Sequence, residues 1–337
     1  MRTLQELMSA TAPFAKEDLK RSWWHLISTA VVLVLLIVGT LSPLPLVLRI
    51  LMSLFAGGVV VRLFIIYHDY QHGAIFRNSA LAKPIMNTLG VLVLNPPNIW
   101  NRSHNYHHSR NSQIATASIG SFPIMTVNEY ARAPWQVRLR YRLSRSPLPF
   151  LSGHVLIFIV GMCLSSFIKD PRKHWDSLVA LLVHVGFVWA LSSVSLSALV
   201  LAYLLPLYVS CMAGAYLFYI QHNFPQMQLK PREEWTFLFA ALKSSSFMEG
   251  NPLVHWLTGN IGYHHVHHLN SRIPFYRLPE AMAAIPELQN PGRTSLKPRD
   301  IVSCLRLKLW DPEHNRMISF AEARPLLSQA RTLSRAH

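Results

Sequence analysis

The chain has 337 residues, of which 51% are hydrophobic and 14% are charged. About a quarter of the residues of a typical soluble protein are charged, so this composition favours a membrane protein over a soluble one. The net charge of +16 does not indicate nucleic-acid binding, because the Lys and Arg residues lie outside the apolar segments and suit a membrane surface. The three cysteines, Cys163, Cys211 and Cys304, are too widely spaced for a disulfide framework or a C-x-x-C zinc site.

Two apolar segments near the N-terminus predict a first hairpin of membrane-spanning helices, at about residues 25–43 and 46–67. Each segment is close to the roughly 20 residues that cross a bilayer, and an uncharged turn with two prolines separates them. Basic residues precede the first segment, which indicates a cytoplasmic N-terminus. The hairpin therefore returns the chain to the cytoplasmic side at residue 68.

The first histidine motif begins where this hairpin ends. His68 and His72 are spaced i, i+4, which places both imidazoles on one helix face, one turn apart. Asp69 lies inside the motif and is the candidate carboxylate that accepts the second N–H of a metal-bound imidazole. The next apolar stretch, 81–97, is interrupted by Lys, Asn and three prolines, so we expect an interfacial helix there instead of a span.

Two further motifs share the spacing H-x-x-H-H. On a helix this spacing places three imidazoles on one face, and neutral imidazole is the commonest metal ligand in proteins. The six histidines concerned are His104, His107, His108, His264, His267 and His268. His265 stands inside the third motif as an additional histidine. The flanking arginines Arg102, Arg110 and Arg272 are either phosphate ligands or membrane-surface charges.

Three apolar segments lie between these two motifs, and the last two predict a second hairpin. The segments at about 178–194 and 196–220 contain no Asp, Glu, Lys or Arg, and the serine-rich turn between them predicts an outside loop. The segment at 148–168 has basic residues on both flanks, so both of its ends are predicted to be cytoplasmic. We therefore expect this segment to be re-entrant or interfacial, which gives four spanning helices in total.

His222 follows the second hairpin at the level of the motifs. It is the candidate ninth ligand, with an ordinary surface histidine as the alternative. Eight or nine imidazoles exceed the three or four that one zinc ion uses, and they suit two transition-metal ions. Imidazole binds Fe, Cu, Zn and Ni, so the ligand type alone leaves the metal open.

The three motifs and two hairpins resemble the membrane fatty acid desaturase family, the histidine-box diiron enzymes, over about residues 24–278. The segment 268–279, HLNSRIPFYRLP, is similar to the acyl-lipid branch, which includes Δ12-type enzymes. Gln221-His222 matches the Gln-His pair that precedes the third box in this family. The expected metal ligands are thus His68, His72, His104, His107, His108, His222, His264, His267 and His268.

This resemblance implies an O2-dependent oxidoreductase of unsaturated fatty acid biosynthesis, which introduces a cis double bond through a non-haem diiron centre. The implied partners are an acyl substrate on lipid, CoA or a carrier protein, the surrounding membrane lipid, and an external electron donor. Ferredoxin, or cytochrome b5 with its reductase, would serve as that donor. We expect a multi-pass protein of the bacterial inner membrane, with the histidine boxes facing the cytoplasm.

Two alternative functions use the same residues. A related diiron hydroxylase, alkane monooxygenase or carotenoid ketolase would insert oxygen instead of removing hydrogen. A His-rich metal transporter is the second alternative, but transporters carry their polar ligands near the membrane midplane. The boxes here lie outside the predicted spans, which counts against transport.

The predicted fold is an all-α integral membrane protein with a single domain, residues 1–337. Four spanning helices form two hairpins, interfacial or re-entrant helices accompany them, and a cytoplasmic catalytic cap comprises about residues 68–146 and 222–310. The double-bond position, chain length, acyl carrier, electron donor, oligomeric state and role of His265 stay open at the level of sequence.

Overall fold

The computed structural model describes residues 2–113 and 122–335, with side chains as far as residue 329. In these ranges the chain is predominantly helical, and its four strands form two small two-stranded sheets. Four of the described helices are long and apolar enough to cross a membrane: Leu19–Leu41, Leu46–Gln71, Trp175–Val194 and Leu196–Gln221. The prediction of an all-α membrane protein with four candidate spans is therefore confirmed. Residues 114–121 of the predicted cap lie outside the described ranges.

The first half of the chain forms α1 (Leu4–Thr11), α2 (Leu19–Leu41), α3 (Leu46–Gln71), α4 (Ala82–Leu92), α5 (Pro97–Ser109), α6 (Val127–Arg132), α7 (Trp135–Ser144) and α8 (Leu148–Leu151). A π-helical segment, His154–Leu164, continues into α9 (Ser165–Lys169). The third candidate span is α10 (Trp175–Val194). The fourth runs from α11 (Leu196–Leu199) through a π-helical segment, Val200–Leu204, to α12 (Leu205–Gln221).

The C-terminal part forms α13 (Phe237–Lys243), β1 (Phe247–Glu249), α14 (Pro252–Leu257), α15 (His264–Leu269), α16 (Leu278–Ala284), β2 (Arg293–Ser295), α17 (Pro298–Arg306), β3 (Leu309–Asp311), β4 (Arg316–Ile318) and α18 (Phe320–Arg335). Short 3-10 turns occur at Phe275–Arg277 and Pro286–Leu288. Strands β1 and β2 pair in parallel, whereas β3 and β4 are antiparallel.

The candidate spans present large apolar side chains on their outer faces. On α10, Leu182 is 61% exposed, Val185 is 65% exposed and Trp189 is 75% exposed. Soluble proteins rarely leave such contiguous apolar surface in contact with water. A helix satisfies its own backbone hydrogen bonds, so these faces are compatible with the hydrocarbon of a bilayer.

Two apolar segments that the sequence assigned outside the spans form shorter helices. The stretch at 81–97 contains α4, and the stretch at 148–168 contains α8 followed by the helical segment His154–Lys169. The latter is too short to belong to the four candidate spans. Whether it re-enters the membrane or lies at its surface stays a prediction.

Helix α3 packs against two of the other three candidate spans. It contacts both α2 and α12, and a Cβ on Gly57 would lie only 2.6 Å from Cβ of Val209. This close approach therefore depends on glycine. Helix α3 continues to Gln71, beyond the expected end at residue 67, because the first histidine motif belongs to the helix itself.

A tight turn brings the third motif against α3. Gly259 and Asn260 have φ angles of +50° and +54°, in the left-handed region that glycine and asparagine adopt most readily. A Cβ on Gly259 would lie 2.8 Å from Cγ2 of Ile65. The turn therefore packs directly on α3, and α15 begins beside the first motif.

Candidate metal centre

Nine histidine side chains from four segments of the chain converge at one place. The end of α3 contributes the first motif, α5 contributes the second and α15 contributes the third, while His222 directly follows α12. The residues that meet are His68, His72, His104, His107, His108, His222, His264, His267 and His268. The structure thus brings together every histidine that the sequence predicted as a ligand.

The candidate ligand atoms form two groups, and within each group they all lie within 4.8 Å of one another. The first group consists of His68, His72, His104, His108 and His267, and the second consists of His107, His222, His264 and His268. Helix α5 contributes to both groups. His104 and His108, spaced i, i+4, face the first group, whereas His107 faces the second. Two groups of this kind suit two ions side by side.

The Nε2 atoms within each group face one another at short distances. His104 Nε2 lies 3.0 Å from His68 Nε2 and 3.1 Å from His108 Nε2. In the second group, His264 Nε2 lies 2.9 Å from His222 Nε2. Two ligands at right angles, each about 2.1 Å from a metal ion, are themselves about 3.0 Å apart. The observed spacings therefore match the edges of a metal coordination polyhedron.

The opposite ring nitrogens show which tautomers are present. Nδ1 of His68 lies 3.1 Å from the Asp69 carboxylate, and Nδ1 of His222 lies 3.0 Å from the carbonyl oxygen of Ser244. Carbonyl oxygens only accept hydrogen bonds, so Nδ1 of His222 donates, and Nδ1 of His68 donates to the ionised form of Asp69. The Nε2 atoms of these neutral rings then carry lone pairs directed into the centre, as metal ligation requires.

Burial keeps these imidazoles in the neutral form that binds metal. It lowers the pKa of His222 to about 4. The pKa values of His264 and His268 are lowered well below the ordinary 6.5 by burial and by neighbouring imidazoles. Nε2 of His72 is buried and has no hydrogen-bond partner in the described part of the protein. The donor set therefore fits two transition-metal ions.

Asp69 is buried between the first motif and the segment that follows the third. One carboxylate oxygen accepts the N–H of His68, and the other accepts the backbone N–H of Phe275 at 2.6 Å. The carboxylate thus fixes the orientation of the His68 ring and joins α3 to the chain after α15. This is the position that the sequence predicted for a carboxylate partner.

His265 points away from both histidine groups. Its Nε2 donates to the carbonyl oxygen of Leu288 at 3.0 Å, and burial lowers its pKa to about 4. Successive residues on a helix are rotated by about 100°, so the neighbour of His264 faces a different part of the structure. Its contacts are those of a packing residue.

His184, on the candidate span α10, also lies away from the centre. Its Nε2 donates to the carbonyl oxygen of Val91 at 3.1 Å, and its Nδ1 pairs with the hydroxyl of Tyr203. Both ring nitrogens are therefore engaged within the protein. These contacts pack α10 against the end of α4 and against the fourth candidate span.

Two further contacts support the centre, and neither was apparent in the sequence. Trp100 stacks on His104 with ring centroids 4.3 Å apart. Asp176, at the start of α10, accepts the backbone N–H of Asn98 at 2.8 Å. This places a carboxylate at the N-terminal end of α5, where the helix dipole favours negative charge. Single aromatic and acidic residues have no recurring spacing that would identify them in a sequence.

A predominantly apolar cavity of about 130 Å³ adjoins the histidines. Helices α3 and α12 and the segment His154–Leu164 form its walls. Phe64, Ile157, Met162 and Phe218 are among the lining residues, and the cavity reaches His68, His104 and His264. Its lining fits an alkyl chain.

The sequence profile of the family described as fatty acid desaturase matches residues 42–297. The fatty acid desaturase of Bacillus subtilis is 31% identical over 323 residues, which cover 94% of this chain and 90% of that protein. The sn-1 oleoyl-lipid 12-desaturase of Synechocystis is 23% identical and covers 77% of this chain and 76% of its own. The sn-1 acyl-lipid omega-3 desaturase (ferredoxin) of Nostoc is 26% identical, with coverages of 69% and 66%.

The chain belongs to the fatty acid desaturase family. It is an oxidoreductase of lipid metabolism, and the resemblance to acyl-lipid desaturases of the Δ12 type is confirmed. The matches do not favour the hydroxylase, ketolase or transporter alternatives.

Proposed function

We propose that this desaturase introduces a cis double bond into the acyl chain of a membrane lipid, with O2 as co-substrate and two iron ions bound by the nine histidines. The observation that carries the proposal is the pair of histidine groups at the boundary of an apolar cavity. The Synechocystis and Nostoc relatives are acyl-lipid desaturases by name, which supports lipid as the acyl carrier.

The ligand assignment follows the two groups. The five histidines of the first group would together hold one ion, and the four histidines of the second group would together hold the other. Iron is the metal of this family, and neutral imidazole is a suitable ligand for it. The hydrogen bonds at His68 and His222 support the assignment, because each orients a ring with its lone pair towards the centre.

The reaction converts a –CH2–CH2– unit, O2, two electrons and two protons into –CH=CH– and two molecules of water. The bound iron would supply the oxidising power, which no amino-acid side chain has. The substrate contributes two of the four electrons that reduce O2, and an external donor contributes the other two. The name of the Nostoc relative includes ferredoxin, so we propose ferredoxin, or cytochrome b5 with its reductase, as that donor.

The protein's own task is to place two methylenes beside the histidines and to keep water away. The apolar walls of the cavity align the chain, and the cavity reaches His68, His104 and His264. Trp100 covers the His104 ring and lines the same cavity. Exclusion of water from this region would protect the oxidised centre from side reactions.

We further propose that the centre faces the cytoplasm of a bacterial inner membrane. The basic flanks of residues 148–168 support an arrangement in which both ends of that segment lie on one side. Tags placed after Arg145 and after Lys173 should therefore report the same, cytoplasmic side. A tag on the outside at either position would contradict the four-span arrangement.

Expression of the full chain in a host that lacks the product, followed by mass spectrometry of its lipids, tests the function. We expect acyl chains that have lost two hydrogens, and no such product from His107→Ala. An acyl chain that has gained an oxygen atom would instead assign the protein to the hydroxylases. No modified lipid in the presence of iron, O2 and a reductase system would contradict the proposal.

A further inference from the structure

Arg145 is a buried cation without a carboxylate partner. It is 1% exposed, and its guanidinium forms no ion pair with any Asp or Glu of the described residues, while residues 114–121 contain no acidic residue. The Tyr219 ring centroid lies 5.1 Å from the guanidinium carbon, but neither this ring nor a neutral hydrogen-bond acceptor is a counter-ion, and a buried charge without a counter-ion is unfavourable. The pocket beside Arg145 is therefore a candidate site for an anion.

The guanidinium is held in a fixed position by neutral groups. Nη2 donates to Oδ1 of Asn223 at 2.5 Å and to the carbonyl oxygen of Leu307 at 3.2 Å, while Nη1 donates to Pro123 O at 3.4 Å. The buried Nε has no partner in the described part of the chain. Because Asn223 directly follows His222, the cation is fixed beside the second histidine group.

Arg145 lines a pocket of about 50 Å³ that also borders His107 and His222. A volume of this size has room for a few groups the size of water, such as the oxygens of one phosphate. Arg110 lines the same pocket, with its guanidinium 4.9 Å from the Tyr106 ring centroid. None of the described residues that line the pocket is acidic. Two guanidinium groups without a competing carboxylate are well suited to phosphate.

The pocket adjoins the proposed substrate site. Phe122 and Phe218 line both the pocket and the apolar cavity, so a cationic compartment and an apolar compartment lie side by side at these two rings. An amphiphile with an anionic headgroup and an alkyl chain matches both compartments at once. A free phosphate ion would match only the first of them.

We propose that Arg145, together with Arg110, binds the phosphate of a phospholipid headgroup and thereby positions the acyl chain in the cavity. This inference rests on the proposed function and adds the substrate class, a phospholipid instead of an uncharged glycerolipid. Arg145 acts as a substrate-binding residue in this account, and its contacts with Asn223 and Leu307 set its orientation.

The test uses the full-length, iron-loaded enzyme in an uncharged detergent. Desaturation is measured with phosphatidylglycerol and with diacylglycerol that carry the same acyl chains. We expect the wild type to have the lower KM for phosphatidylglycerol. Arg145→Gln and Arg110→Gln should each raise that KM about tenfold and leave the KM for diacylglycerol unchanged. The control is Arg140→Gln, which removes the same charge from an exposed position on α7 and should alter neither KM.

Three results would overturn the headgroup assignment. One is an equal wild-type KM for the two lipids. Another is a change in the desaturation rate on addition of inorganic phosphate that is the same with both lipids and is absent in Arg145→Gln, because that would assign the site to free phosphate. The third applies if Arg145→Gln fails to bind iron, and it is an unchanged KM for phosphatidylglycerol in Arg110→Gln. A wild type that desaturates neither lipid would instead refute the proposed function.

Discussion

The metal centre and the apolar cavity adjoin each other, but polar groups form the centre and mainly apolar side chains line the cavity. In the centre, polar nitrogens are buried and directed at one another, and groups such as Asp69 hold them in orientation. In the cavity, none of the described lining residues is Asp, Glu, Lys or Arg, and the walls belong largely to candidate spans. Iron content and substrate fit should therefore depend on different residues, and substitutions can separate the two properties.

The largest effect is expected from the loss of a ligand. We expect His222→Ala to bind about one iron fewer than the wild type and to lower desaturation by more than about 100-fold. The matched control is His184→Ala, on the adjacent candidate span α10, whose ring nitrogens pair with the hydroxyl of Tyr203 and the carbonyl oxygen of Val91. It should keep its iron and most of its activity. Retention of both iron and activity in His222→Ala would make His222 an ordinary buried residue.

A smaller effect is expected where the orientation of a ligand is disturbed. Asp69→Asn replaces the carboxylate that orients the His68 ring, so iron affinity and activity should each fall by about tenfold. The control is Glu249→Gln, because Glu249 is half-exposed and pairs with Arg293 at the surface. Equal iron affinity in Asp69→Asn and the wild type would contradict the role assigned to Asp69.

The cavity can be changed without touching the centre. Gly214 lines the cavity, and a Cβ there would meet nothing within 4 Å. Gly214→Leu should therefore fill space meant for the acyl chain, lower desaturation of long chains about several-fold, and leave the iron content unchanged.

Gly186→Leu is the matched control for this substitution. Gly186 lies on the exposed face of α10, where a Cβ also meets nothing within 4 Å, but it does not line the cavity. It should leave both activity and iron content as in the wild type. Loss of iron in Gly214→Leu would show that the two regions are not separable.

The pH dependence of the metal-free protein gives the smallest effect, because it changes stability and not the reaction at neutral pH. Unfolded histidine titrates near pH 6.5, whereas folded His222 has a pKa of about 4. The depressed folded pKa means that the stability contribution is complete above pH 6.5 and is lost as the pH falls towards 4. The midpoint temperature of thermal unfolding should be lower at pH 5 than at pH 7.5, both in Gly214→Leu and in the wild type. An unchanged midpoint would contradict the buried, neutral imidazoles.

Much of this organisation could be predicted from spacing and hydropathy. Repeated H-x-x-H-H motifs identify which imidazoles share a helix face, and uninterrupted apolar segments identify the candidate spans. The position of His222 followed from the end of the second hairpin. These features are periodic, so a single sequence contains enough of them to be recognised.

Other features depend on contacts between distant segments and have no periodic signal. Arg145 lies in a basic segment where an exposed charge is the ordinary expectation, yet it is 1% exposed beside Asn223. Asp176 reaches the start of α5 only in the folded chain. His265 belongs to the same motif as its neighbours, but the helix rotation turns it towards Leu288.

The central claim is that the nine convergent histidines hold two iron ions that serve desaturation of an acyl chain. The most direct measurement is the iron and zinc content of the purified, active, full-length protein, made on the same sample as the fatty acid profile. The account predicts about two irons per chain, with activity that falls when iron is removed and returns when iron is restored. A stoichiometric zinc content without iron, accompanied by full desaturase activity, would contradict it.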